Sequence, residues 1–225
     1  MPRTKLKDRT LPFYTKGEEI FNMTSHIIGG ALSVIGLIIL IVVAASHSNT
    51  MGIISSFIYG ISLIILYTIS SIYHGLSPKK EMAKKVFQIL DHCSIYVLIA
   101  GSYTPFALCT FLNYNTQLGL TVFISIWTLA IVGIMLKCID IKQYRVLAVI
   151  CYMFMGWMII FKAHLLPTLL GIPGTILLVL GGVLYTIGAI FFGLGIHHKW
   201  MHSIFHIFII LASISQFFCI LFFVI

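Results

Sequence analysis

Long apolar runs separated by short polar intervals organise this chain from one end to the other. Runs rich in Leu, Ile, Val and Phe cover 20–45, 52–73, 86–110, 117–137, 145–166, 173–195 and 201–224. A hydrocarbon layer about 30 Å thick is crossed by about 20 helical residues, so each run is long enough to span it. The breaks at 46–50, 75–85, 111–116, 138–144, 167–172 and 196–200 contain Ser, Asn, Pro, Gly or Lys. Their shortness makes consecutive helices antiparallel neighbours. The pattern predicts an all-α polytopic membrane protein: a short basic segment at 1–19, then one seven-transmembrane-helix bundle over 20–225.

Composition agrees with that pattern. Hydrophobic residues make up 60% of the 225 and charged residues only 9%, against roughly 25% charged in a soluble domain. The net charge of +8 comes from short basic clusters between apolar runs, so membrane lipids, and not nucleic acid, are the expected partners. Arg3, Lys5, Lys7, Arg9 and Lys16 precede the first run; Lys79, Lys80, Lys84 and Lys85 fill the second break; Lys137, Lys142 and Arg145 flank the fourth; Lys199 lies in the sixth. The first, third and fifth breaks contain neither Lys nor Arg. Basic residues near span ends stay on the cytoplasmic side, which predicts a cytoplasmic N-terminus and an outer C-terminus in the cell membrane. Ala44-Ala45-Ser46 has the look of a signal cleavage site, but the apolar run before it is too long for a signal peptide, and a retained first helix is expected. Five cysteines without a CxxC pair are expected to act as small apolar fillers. Pro105, inside the third span, is expected to kink it near its outer end. Gly181, Gly182, Ala189 and Gly193 are expected to let the sixth helix approach a neighbour.

Given this orientation, the histidines sort by depth. His26, His74, His92, His197, His198, His202 and His206 fall at cytoplasmic helix ends, and only His47 and His164 fall on the outer side. His202 and His206, four apart, project from one face of the last helix, as two ligands of one metal require. His74 lies at the same predicted depth and is the third ligand candidate. Three imidazoles leave a fourth tetrahedral position open, the arrangement of catalytic rather than structural zinc. Asp91, at the same side, is a candidate for handling the proton of an activated water. Ser70, one turn before His74, either bonds a substrate or oxyanion, or bonds its own helix. Glu18, Asn22 and His26, each four apart, form a stripe at the start of the first helix. It is either an interfacial helix end or part of the same cavity, supporting the ligands or touching substrate.

The ordered set Glu18-x3-Asn22-x3-His26, Ser70-x3-His74 with Asp91, Ala100-Gly101-Ser102-Tyr103-Thr104-Pro105-Phe106, and His202-x3-His206 resembles the bacterial hemolysin III family, within the progestin and adiponectin receptor (PAQR) group. The resemblance runs from the first helix to the last. It implies seven helices with the N-terminus inside, Zn²⁺ on His74, His202 and His206, Asp91 acting through water at the zinc, and Ser70 beside the site. It also draws Glu18, Asn22 and His26 into the site, and it extends to membrane hydrolases that include alkaline ceramidases. A hormone-receptor role is not implied, because the chain has only a short N-terminal segment.

Three functions compete. The first is zinc-dependent hydrolysis of an amide or ester of a membrane lipid, with Lys79, Lys80, Lys84 and Lys85 gathering anionic headgroups. The second is cytolysis by a pore, for which polar residues are expected along the whole depth but occur mainly at one end. The third is a membrane sensor or regulator with a structural metal.

Overall fold

A computed structural model describes residues 4–225; of the basic N-terminal cluster, Arg3 lies outside the described residues. Apart from short connections the described chain is helical, with no strand among the described residues. The helices are α1 (Lys16–Ser46), α2 (Thr50–Gly75), α3 (Glu81–Pro105), α4 (Thr116–Ile139), α5 (Arg145–Trp157), α6 (Leu166–Leu194) and α7 (Met201–Phe223). Among the described residues, six helical stretches are long and apolar enough to cross a membrane: Lys16–Ser46, Thr50–Gly75, Pro78–Tyr114, Thr116–Ile139, Arg145–Leu194 and Met201–Phe223.

Local chemistry sets the helix boundaries. α1 starts at Lys16, four residues before the apolar run, because Thr15 and Glu18 form a reciprocal cap: Glu18 N–H donates to Thr15 Oγ1 at 3.3 Å, and Thr15 N–H donates to Glu18 Oε2 at 2.8 Å. Asn49 and Asn115 cap α2 and α4 by accepting from Gly52 N–H at 2.8 Å and Leu118 N–H at 2.9 Å. The third predicted span opens at 86, yet α3 begins at Glu81. Its first turn is not a solvated loop, because Lys84 and Lys85 point inward and are bonded within the protein. Regular α3 stops at Pro105, which lacks an N–H donor, and the backbone widens into a π-type turn over Phe106–Phe111 before the terminal turn Leu112–Tyr114.

Between Arg145 and Leu194 the sequence predicts two spans separated at 167–172, whereas helical backbone runs through most of that interval. α5 passes into a 3₁₀ segment, Met158–Leu165, and then α6, with non-helical dihedrals at Lys162 and at Gly171, where φ is +68°. Trp157 Nε1–H donates to Thr186 Oγ1 at 3.0 Å across 29 residues of chain. A straight helix of that length would hold them about 40 Å apart, so the stretch folds back on itself. Tyr103 of α3 braces the start of this turn: its hydroxyl donates to Gly156 O at 2.9 Å and accepts from Ile159 N–H at 2.9 Å.

Helices pack through small and polar residues and turn large aliphatics outward, as expected where lipid surrounds the protein and apolar attraction between helices is weak. α1 buries Glu18, Asn22, His26, Gly29, Ser33, Gly36, Leu40 and Ala44, a stripe at helical spacing, while Ile35, Ile38 and Val42 face outward. α2 sits between α1 and α3, and α7 packs along α6 and closes against α1. Gly29 lies so close to the Tyr67 ring that a Cβ would be 2.7 Å from it. Between α2, α6 and α7, Tyr67 donates to Ser213 Oγ at 2.9 Å and Tyr185 bonds the same oxygen at 3.0 Å. This packing brings the start of α1, the end of α2 and the start of α7 together around the predicted histidines.

Candidate metal centre

α2 and α7 carry His74 and His202/His206 to one place. One nitrogen from each of the three buried imidazoles lies within 4.8 Å of the other two, making the only such donor group among the described residues. His202 and His206 are a helical turn apart on the buried face of α7, which brings their Nε2 atoms to 3.1 Å. The His74 ring centroid is 5.0 Å from that of His206 and 5.3 Å from that of His202.

The orientation of His74 is set from α1. Its Nδ1 is 2.6 Å from Glu19 Oε2. A carboxylate accepts and does not donate, so Nδ1 carries the hydrogen and the neutral ring keeps its lone pair on Nε2. His74 Nε2 is buried without a hydrogen-bond partner. A buried, unpartnered lone pair in a cluster with two further imidazoles suits a cation, and three nitrogen donors suit zinc or a similar transition metal. Lys84 Nζ lies 2.6 Å from the other oxygen, Glu19 Oε1, and also donates to Leu76 O at 3.1 Å.

The other predicted residues surround this cluster. His26 stacks on His206 with centroids 3.7 Å apart, and its edge meets Tyr67. Asn22 is fully buried one turn earlier, and neither the polar atoms of its side chain nor the ring nitrogens of His26 have hydrogen-bond partners. Asp91 lies about three turns into α3, with the Ser70 hydroxyl beside it and His74 near enough to act on its charge. The hydrogen bonds of the Glu18 carboxylate go elsewhere: it accepts from Thr15 and, at 2.6 Å, from Trp200 N–H, pinning the turn before α7 to the start of α1. His197 and His198 are exposed in that turn, and His92 packs on Phe192. Of the lysines expected to meet headgroups, Lys84 is bound to Glu19 and Lys85 to Lys7 O and Glu81, leaving Lys79 and Lys80 exposed.

Sequence reasoning missed Glu19 and Tyr14. Glu19 stands three before Asn22 and seven before His26, a spacing that shares a helix face as well as four and eight do, so the signal was present and ambiguous. Tyr14 precedes α1, where no periodicity applies. Its ring lies 5.0 Å from His202 and 5.5 Å from His74. Burial, followed by the negative charges of Asp91, Glu19 and Glu18, pushes its phenol well above the usual range, so it remains a hydrogen-bond donor. The segment before it lies over the same end of the bundle: Thr4 N–H donates to Asp140 at 2.9 Å, Arg9 to Ile139 O at 2.7 Å, and Lys7 O accepts from Lys85 at 2.8 Å.

A cavity leads from the cluster into the bundle. His26, Ser70, Asp91 and His206 line one end; Leu98, Ile99, Phe106, Val179, Ile209 and other mostly apolar residues continue it. Its wall on α3 and the turn that follows runs from Asp91 to Phe106, about 22 Å at the helical rise.

The family model for haemolysin-III-related proteins matches residues 14–217. Hemolysin-3 of Bacillus cereus is 43% identical over 208 residues, covering 92% of each chain. The Hemolysin-3 homolog of Bacillus subtilis (strain 168) is 39% identical over 93% of this chain and 96% of its own. The monocyte to macrophage differentiation factor of Homo sapiens is 28% identical over 172 residues, 74% of this chain and 69% of its own. A buried three-histidine cluster in an all-helical membrane bundle and these matches along nearly the whole chain lead to one assignment: the chain belongs to the haemolysin-III-related family of integral membrane proteins.

Proposed function

We propose that this protein is a zinc-dependent hydrolase of an amide or ester bond in a membrane lipid. The observation that carries the reading is the continuity between the three-histidine cluster, flanked by Asp91 and Ser70, and a long apolar cavity in the bundle interior. The cavity suits an acyl chain, and its polar end suits the bond to be cleaved.

His74, His202 and His206 would hold the metal. Zinc held there would supply Lewis acidity and would bring the pKa of an attacking water to about 7. Asp91 accepts the proton from the attacking water and passes it to the leaving amine or alcohol. Ser70 donates a hydrogen bond to Asp91 or to the substrate carbonyl as charge develops on its oxygen. Asn22 and His26 offer polar atoms to the lipid's head-side groups. Tyr14 and the segment before it cover the cluster at the basic end, so that substrate enters from the lipid side. With basic residues retained inside, that end is cytoplasmic, and the fold-back within Arg145–Leu194 supplies two of seven crossings.

The relatives named Hemolysin-3 raise lysis as a second reading. Lipid hydrolysis accounts for lysis without a pore, and the mostly apolar lining of the cavity favours it. A sensor with a structural metal is separated from both by Asp91→Asn. Protein purified without chelators is expected to contain zinc stoichiometric with the chain and to release fatty acid from a panel of lipid amides and esters. Asp91→Asn keeps the zinc and loses the release. Zinc-free protein, or equal release by Asp91→Asn, refutes the proposal; lysis of liposomes by His202→Ala at the wild-type rate favours a pore.

A further inference from the structure

We propose that Glu19 is the residue that positions His74 as a metal ligand, with Lys84 holding Glu19 in place. The inference rests on the metal reading of the three-histidine cluster but assigns a role to two residues outside it. Glu19 uses its two oxygens separately, Oε2 toward His74 Nδ1 at 2.6 Å and Oε1 toward Lys84 Nζ at 2.6 Å. Lys84 is fixed in turn by Leu76 O at 3.1 Å and by the Tyr73 ring, whose centroid is 5.4 Å from Nζ. The chain of contacts joins the start of α1, the end of α2 and the first turn of α3.

Three consequences follow for His74. The bond to Glu19 at Nδ1 fixes the tautomer, so the lone pair sits on Nε2, which is buried without a hydrogen-bond partner and free to meet a metal. It stops the ring from turning about its side-chain axis. Its negative charge makes the imidazole a stronger donor, the usual effect of a carboxylate behind a metal-bound histidine. Lys84 makes the arrangement tolerable, since an uncompensated carboxylate this close to the membrane interior is costly. Glu18 cannot substitute, because its oxygens are engaged by Thr15 and Trp200. Among the described residues no carboxylate bonds His202 or His206, so His74 is the ligand through which this control is exerted.

The test uses the full-length chain in detergent, stripped of metal and titrated with zinc against a chelator of known affinity. Glu19→Ala is expected to weaken zinc binding about 10–100-fold. Glu19→Gln, whose amide oxygen still accepts from Nδ1–H, is expected to recover part of the loss. Lys84→Met weakens binding less than Glu19→Ala, and adding it to Glu19→Ala costs nothing more, because Lys84 acts through Glu19. Cobalt in place of zinc gives a readout that general destabilisation does not move: Glu19→Ala and Glu19→Gln shift the ligand-field absorption. Where Glu19→Ala fails to fold, the near-isosteric Glu19→Gln carries the comparison. Wild-type affinity within about twofold and an unchanged cobalt spectrum in either variant overturn the role of Glu19. A wild-type chain that takes up no zinc overturns the metal reading itself, and this inference with it.

Discussion

Replacing His202 by Ala leaves two of the three nitrogen donors and should abolish the stabilisation that zinc gives the folded chain. The size of that stabilisation follows from mass action: free zinc at 100 times its dissociation constant stabilises the folded state by about 2.7 kcal/mol. For a chain of this size each kcal/mol corresponds to about 2–4 °C in Tm, so zinc should raise the wild-type Tm by about 5–10 °C. The free cysteines Cys93, Cys109 and Cys219 are buried and, once Cys138 and Cys151 are replaced by Ser, give a direct assay. A thiol-reactive dye labels them only as the bundle opens, and heating in detergent with zinc or with chelator yields the two midpoints. His202→Ala also removes ring contacts with Tyr14, Phe192 and Phe205 and lowers Tm by itself. The diagnostic quantity is therefore the difference between zinc and chelator within each variant. It should fall to near zero in His202→Ala and His206→Ala. A wild-type Tm indifferent to zinc, or an undiminished difference in both variants, refutes the reasoning.

Three further outcomes are expected. Gly133→Ala drives a Cβ into the Tyr96 ring at Cε1; that ring is fully buried against Tyr152, so thermal unfolding should show a loss of about 1–3 kcal/mol. Gly156→Ala, which meets nothing within 4 Å, should cost far less. Tyr14→Ala uncovers His74 and His202 and should speed removal of bound zinc by a water-soluble chelator several-fold, measured by stopped-flow, while leaving equilibrium affinity little changed. Burial opposes ionisation of Asp140, but hydrogen bonds from Gln143, Thr4 and Lys142 outweigh it and hold the carboxyl down at about 2. A depressed carboxyl stabilises the fold above its unfolded value near 4 and loses that contribution as pH falls toward 2. Thermal midpoints at pH 5 and pH 2.5 should therefore differ less in Asp140→Asn than in the wild type.

Parts of the site were legible in the sequence because they depend on local geometry. His202 and His206 share a face at any rotation of α7, since a spacing of four fixes their relation. Ser70 and His74 are related in the same way on α2. The choice between Glu18 and Glu19 was not legible. Neighbouring helical residues point about 100° apart, and which one meets His74 depends on how α1 is rotated against α2. Gly29 on Tyr67 and the Thr15 cap help set that rotation. Lys84 and Lys85 read as a solvated basic loop because sequence shows charge but not its distant partners, Glu19 and Lys7 O, which lie 65 and 78 residues away.

By itself the sequence determined that this chain is an all-helical membrane protein, where most of its polar breaks fall, and which histidines share a helix face. These follow from hydrophobicity and helical period, which act over a few residues. Tertiary structure alone decided that Arg145–Leu194 folds back through Lys162 and Gly171, that Tyr14 lies over the histidines, and that Glu19, tied to Lys84, stands behind His74. Each of these depends on the relative rotation and depth of helices far apart in the chain. Those are set by close contacts of small residues and by interhelical hydrogen bonds, which no local pattern records.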